Sequence, residues 1–197
     1  MCGRYQFSLD EPTLRQYWET ARERFPNVHM ETGEIFPTHV VPVLLEEESG
    51  VVPEPVKWGF PRFNGGGVVI NARSETAGEK RMFRQSLMTR RCVVPTSGFF
   101  EWSHDKAKNK YRFKVPGSSV LYLAGLWNEF SGERRFVILT EAANPSIADI
   151  HDRMPVLLEP EQVEAWIRDN EQVSALLAQE APALEREEEG NVQQSLC

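Results

Sequence analysis

The sequence is poor in the residues that hold metals, and it has no long apolar run. Its 197 residues include only three cysteines, Cys2, Cys92 and Cys197, and four histidines. Neither a CxxC nor an HExxH pattern occurs, so the familiar spacings of zinc ligands are missing and no metal or cofactor is expected. The cysteines are odd in number and far apart, which argues against a disulfide framework and for a reducing compartment. No stretch approaches the ~18 apolar residues of a membrane span. The start of the chain lacks the basic-then-apolar order of a secretion signal, so the expected location is cytoplasmic and no membrane partner is expected. Positive charge is also in short supply: 22 Lys and Arg stand against 29 Asp and Glu, a formal net charge of −7. That sum argues mildly against a nucleic-acid partner, but distribution counts for more than the total. The tail "EREEEG" concentrates acid. Elsewhere Arg4, Arg73, Arg81, Arg84, Arg90, Arg91 and Arg153 gather near unusual stretches, so a local basic groove is allowed.

What is present describes one domain. Residues 10–25, "DEPTLRQYWETARERF", have helical periodicity, with Asp10 as the expected cap, Pro12 in the first turn, and Leu14, Tyr17, Trp18, Ala21 and Phe25 on one face. Then come short segments rich in Val, Phe and Tyr: "HVVPVLL", "VVPEPVKWGF", "GVVINAR", "RRCVVPTSGFFEW", "KYRFKV", "SVLYLAGLW" and "RRFVILT". Gly, Pro and Ser separate them, and they read as strands. "SETAGEKRMFRQSLMTR" is a second helical candidate. "EPEQVEAWIRDNEQVSALLAQ" reads as one broken helix or two short ones, with Val163, Trp166, Ile167, Val173, Leu176 and Leu177 as its buried stripe. The pattern implies an α+β fold in a single domain, with a mainly antiparallel sheet or barrel-like core and a few flanking helices. The domain is expected over residues 2–180, and residues 181–197 are expected to be an acidic, disordered tail.

Five stretches carry residues suited to chemistry, and each has a plain reading beside the chemical one. Cys2 follows Met1 directly. It fits a small buried side chain; equally, loss of Met1 would expose an α-amine and a thiol on one residue. Such an amine has a pKa of about 7.7–8.0 and can form an imine with an aldehyde, after which the thiol can close a five-membered thiazolidine ring. In "INARSET", Asn71 is either a helix-start residue or a hydrogen-bond partner for that amine or a sugar hydroxyl, and Arg73 can hold a phosphate. In "SGFFEW", Glu101 is either an exposed strand residue or a pocket carboxyl whose pKa burial would raise, making it a general acid/base. In "IHDRMP", His151 is either a surface loop residue or a proton carrier. Trp58 in "KWGF" suits the core, or a place beside a groove where it would stack on a base. A thiol hydrolase acting in trans, with Cys2 as nucleophile, and a simple binding module both remain open on these residues.

The order of "MCGRY", "KWGF", "INARSET", "RRCVVPTSGFFEW", "AGLW", "FVILTEAAN" and "IHDRMP", spanning residues 2–158, resembles the SOS response-associated peptidase (SRAP) family. That resemblance implies an abasic-site sensor acting on single-stranded DNA. Its terminal cysteine, here Cys2, crosslinks to the ring-opened sugar and shields the lesion. It also implies roles for Asn71 in positioning, for Glu101 and His151 in proton transfer, and for Arg4 and Arg73 as phosphate contacts; Trp58 is placed with the DNA-binding residues. It implies autoproteolytic exposure of the cysteine, although Met1 alone precedes Cys2 here. It further implies lyase-type side chemistry, a replication-associated setting, nucleoid association in a bacterium, and a monomer. An N-terminal-nucleophile cysteine peptidase or amidase acting in trans is the alternative.

Overall fold

A computed structural model describes residues 2–63, 65–104 and 107–189. Met1, Cys197 and the end of the tail lie outside the described residues, so the expectations placed on them are not addressed by the structure. In chain order the first elements are β1 (Arg4–Phe7), α1 (Pro12–Arg24), β2 (Gly33–Ile35), β3 (Val40–Glu47), β4 (Gly50–Trp58), β5 (Phe60–Pro61), β6 (Val68–Val69) and β7 (Asn71–Arg73). Two short helices follow, α2 (Ser74–Ala77) and α3 (Arg84–Thr89). Next come β8 (Arg91–Thr96), β9 (Gly98–Trp102), β10 (Lys110–Lys114), β11 (Leu121–Phe130), β12 (Glu133–Ala142), β13 (Arg153–Pro155) and β14 (Leu157–Leu158). A 3₁₀ turn at Pro160–Gln162 leads into α4 (Val163–Arg168) and α5 (Val173–Leu177), and β15 (Glu185–Glu189) ends the described chain.

The fold is α+β and mainly antiparallel. Its larger sheet closes on itself: β12, β4, β3, β8 and β11 pair in that order, and β11 pairs back to β12. Closure leaves these five strands without a free edge. β8 lies between β3 and β11 with every residue buried, its apolar and small residues Cys92–Thr96 following the buried Arg91. The two exceptions to antiparallel pairing both lie on β12, where β4 and then β7 dock in parallel. That second docking fixes the position of Asn71, opposite Ile138. The smaller sheet runs β15–β10–β9–β1–β2.

Local chemistry explains where elements begin and end. Pro12 stands at the start of α1, and the Glu11 carboxylate, not Asp10, caps it by accepting from the Thr13 N–H at 3.3 Å. Leu14 and Ala21 are its buried residues, with Tyr17 and Trp18 packed at the margin of the core. The second helical candidate is split, since α2 ends at Gly78 and α3 begins only at Arg84. The third is two short helices, with Trp166, Ile167 and Leu176 buried. The tail departs from expectation. Residues 185–189 are a strand, antiparallel to β10, because their glutamates face Arg112 and Lys114. Among the described residues no helix is long and apolar enough to cross a membrane.

Candidate active site

Cys2 lies just ahead of β1, at the end of the smaller sheet, and is wholly buried. Its carbonyl oxygen accepts a hydrogen bond from Asn71 Nδ2 at 3.0 Å. This single bond joins the start of the chain to β7, a residue 69 positions away. Asn71 is not a helix-start residue, since the helix cap position is Arg73 and Asn71 sits on a strand; its partner is the Cys2 carbonyl and not the amine. Asn71 Oδ1 is buried with no hydrogen-bond partner among the described residues, so the amide keeps one acceptor in reserve. The Cys2 thiol donates weakly to the Arg4 carbonyl at 3.7 Å. Burial, then the Glu101 charge, pushes the thiol well above its ordinary range, so it is held protonated. Tyr5, one strand residue beyond Arg4, is raised in the same way, and its buried hydroxyl lacks a hydrogen-bond partner among the described residues.

Glu101 is on β9 and only 4% exposed. Strand alternation puts Phe100 and Trp102 on the opposite face, and the registers place Glu101 beside Tyr111 of β10. Burial raises its carboxyl to about 6, with the charge of Asp152 adding to the shift. Glu101 is thus a buried carboxyl, not an exposed strand residue. His151 follows the turn over 144–150, and its side chain is 14% exposed. Its Nδ1 accepts the Arg153 N–H at 3.0 Å, and the Asp152 carboxylate lies 2.9 Å from the same atom. Both contacts cannot use one lone pair. The backbone donor calls for a bare Nδ1 and the carboxylate for a protonated one, so the Asp152 contact becomes an ion pair only on protonation. Burial, more than any charge nearby, lowers the His151 pKa, which favours the neutral form. The structure therefore gathers Cys2, Asn71 and Glu101 at one place, with His151 adjoining through Asp152.

The cations are distributed unevenly. Arg4 donates to Glu34 at 2.9 Å and lies between the rings of Phe36 and Trp102, at 4.3 and 4.7 Å. Arg73 is exposed and lines an open cleft of about 500 Å³ with Asn71, Thr76, Lys80, Arg81 and Phe83. Arg153 is paired with Glu75 at 2.5 and 2.8 Å and holds that carboxyl down at about 2. Arg91 is buried among carbonyl groups and takes no part in a groove. Trp58 needs correction as a DNA contact. It is wholly buried, stacks on Phe136 at 6.1 Å, tilts against Tyr5 at 5.2 Å, and donates to the Ile70 carbonyl at 3.0 Å. No face of it is open to a base.

Sequence reasoning missed Glu141. It sits on β12 next to Thr140, the partner of Arg73, and burial raises its carboxyl to about 7. The signal was available: in "FVILTEAAN" a single acid ends an apolar run. Among the described residues no group of three or more His, Cys, Asp or Glu could hold a metal ion.

Fold and site together define a class: a barrel-cored α+β domain whose second residue is a buried cysteine, tied to an asparagine and set beside a carboxyl of raised pKa. The chain belongs to the family described as SOS response associated peptidase (SRAP), whose model matches residues 1–193. It is similar to the abasic site processing protein YedK of Escherichia coli, 32% identical over 177 residues, which are 85% of this chain and 80% of that one. It is also similar to the abasic site processing protein YoqW of Bacillus subtilis, 40% identical over 106 residues. That match covers 50% of this chain and 47% of YoqW, so it spans about half of that relative's length. In structure it resembles a protein from Bacteroides thetaiotaomicron, with a TM-score of 0.75, 23% identity, and coverage of 96% of this chain and 93% of the other. A Bordetella bronchiseptica protein gives a TM-score of 0.76 at 21% identity, with 96% and 100% covered. These two likenesses establish the fold.

Proposed function

We propose that this chain recognises abasic sites in single-stranded DNA and captures the ring-opened sugar as a thiazolidine on Cys2. The relatives' names support the lesion, and one observation carries the chemistry: the Asn71–Cys2 hydrogen bond, which holds the start of the chain beside Glu101. The reaction needs Cys2 to bear a free α-amine, so Met1 has to be removed.

The amine nitrogen attacks the C1′ aldehyde to give a carbinolamine. Loss of water, assisted by a proton from Glu101, leaves the imine. The Cys2 sulfur then adds to the imine carbon, and the thiol proton passes to the nitrogen. One water leaves overall, and no oxidant or reductant is needed. With a carboxyl near 6, Glu101 has both protonation states within reach at neutral pH. Neutral His151 can relay a proton at the sugar oxygen, and the spare Asn71 Oδ1 can accept from a sugar hydroxyl. Arg4 and Arg73 hold flanking phosphates; they orient the strand and read no bases. β-Elimination from the imine would cut the strand, and thiol closure competes with it.

The trimmed protein is incubated with an abasic single-stranded oligonucleotide, then analysed on a denaturing gel and by intact mass. The expected product has the summed mass of both components less one water. Cys2→Ala keeps an amine and loses the thiol, so it should cut strands and leave no heat-stable adduct. A wild-type protein, correctly trimmed, that never gains the oligonucleotide's mass overturns the reading.

A further inference from the structure

The outer face of the smaller sheet carries a row of cations that the proposed chemistry does not use. The registers set Arg4 opposite Phe100, Phe100 opposite Arg112, and Arg112 opposite Glu187, so all four share one face across β1, β9, β10 and β15. Lys110 and Lys114 flank Arg112 on that face by strand alternation. Together Lys110, Arg112 and Lys114 extend ~13 Å along β10. Each is covered by acid from one of the two outermost strands of the sheet, β2 and β15. Glu34 of β2 bonds both Arg4 and Lys110 at 2.9 Å. Glu187 of β15 meets Arg112 at 2.8 Å and Lys114 at 3.3 Å, and Glu189 lies 3.5 Å from Arg112 Nε. Glu185 shares an open depression of about 520 Å³ with Arg112 and Lys114.

We propose that the basic face of β10, continuous with Arg4, is a track for the sugar–phosphate backbone of single-stranded DNA, and that the acidic strand β15 covers it in the free protein. The proposal rests on the reading of function above. Glu185, Glu187 and Glu189 repeat at every second residue, so they present a regular row of negative charge to β10, as a phosphate backbone would. β15 pairs with β10 and with no other strand among the described residues, and its other side-chain tie is an exposed ion pair from Arg186 to Asp149 at 2.7 Å. Exposed ion pairs of this type contribute little stability, so their exchange for phosphates is inexpensive. The strand would stay near the surface after release, because the segment before it is anchored. Asn144 Nδ2 donates to the Pro182 carbonyl at 2.8 Å, Leu184 N–H donates to Ser146 Oγ at 2.9 Å, and Leu184 is buried. A plainer role for such glutamates is to blunt a sheet edge against self-association. The two roles differ in their effect on DNA.

The test uses the full chain and two variants, Glu185→Gln/Glu187→Gln/Glu189→Gln and Arg112→Gln/Lys114→Gln. Binding of an undamaged 30-nucleotide single strand is followed by anisotropy across a salt series. The glutamine triple variant should bind roughly tenfold tighter near physiological salt. The Arg112/Lys114 variant should bind more weakly, with a log–log salt slope shallower by about 1.4, two contacts at ~0.7 each. Hydrogen exchange on the wild-type chain reads displacement without any substitution: amides 185–189 should lose protection when DNA is added. Unchanged affinity in the glutamine variant, with or without new self-association, overturns the proposal, and so does unchanged protection of β15. An abasic oligonucleotide at saturating concentration is also offered to the Arg112→Gln/Lys114→Gln variant, so that any adduct on Cys2 forms without those β10 cations. That crosslinking tests the reading of function separately, so the two can fail independently.

Discussion

Glu101 is 4% exposed, and its carboxyl rises from an ordinary 4.5 to about 6, mainly through burial. A folded-state pKa above the unfolded one means that the native protein binds this proton more tightly. The stabilisation is complete below about pH 4.5, fades between there and 6, and is absent above. Holding the ionised form in the fold at pH 8 therefore costs about 2 kcal/mol relative to the unfolded chain. The site keeps this cost because a carboxyl near 6 can exchange protons at neutral pH. Glu101→Gln should accordingly have opposite effects on stability and chemistry. At pH 8 it should raise the melting temperature by several degrees, with no gain at pH 4, as read by thermal unfolding. Adduct formation should slow by ~10²–10⁴-fold. The wild-type loss of rate as pH rises through about 6, where the proton-donating form of Glu101 disappears, should vanish, while the inflection of the α-amine near ~7.7–8.0 should remain. A variant that melts lower at pH 8, or that keeps the step near 6, would remove Glu101 from this role.

At the level of elements, Arg91 shows how a charged side chain can serve packing alone. It is 4% exposed at the start of β8. Its guanidinium donates to the Leu87 and Met88 carbonyls of α3 at 2.9 and 3.0 Å, to the Trp166 and Ile167 carbonyls of α4, and to Asn170 Oδ1 at 2.6 Å. Helix ends leave carbonyl groups without partners, and a cation there satisfies them and suits the helix dipole. α3 and α4 have six residues each, too short to stand alone in water, so this clip and the burial of Trp166 hold them to the barrel. Arg91→Ala should cost about 3–5 kcal/mol, since it orphans several buried acceptors. Chemical denaturation reads that loss. Arg91→Lys should recover little, because one ammonium cannot reach the spread of acceptors that a planar fork does. The DNA salt slope should not change, which separates this arginine from Arg4 and Arg73.

At the level of the whole molecule, the parts written in local chemistry were legible. α1, the alternating strands, the broken helix after residue 159 and the α+β class all follow from periodicity and punctuation. So did Glu101, where strand alternation sets a lone acid apart from Phe100 and Trp102. What could not be read depends on distant partners. "EREEE" looks like a solvated tail until β10 supplies Arg112 and Lys114. Asn71 looks like a helix start until β12 pulls it into a strand. Trp58 and Arg91 carry no local sign that separates a core residue from a DNA contact, and only burial decides.

Net charge sets the last expectation. A chain of −7 has to bind a polyanion through a local exception to its overall repulsion. At physiological salt that repulsion is screened beyond ~8 Å, whereas each phosphate contact releases counterions at close range. The two respond to salt in opposite directions. Adding salt weakens the contacts at Arg4 and Arg73, and it also relieves the repulsion. For an undamaged trinucleotide, which has only two internucleotide phosphates, two contacts at ~0.7 each bound the log–log slope at about −1.4, and the repulsion makes it shallower. Arg73→Gln should cut the slope by about half, since Arg73 is exposed at the cleft and has no ion pair among the described residues to release first. Arg4→Gln should change it less, because Arg4 must first give up Glu34. Titrations at five or six salt concentrations measure all three slopes. A flat wild-type response would remove both arginines from the interface, and a slope well beyond −1.4 would mean that further cations hold the strand even at this length.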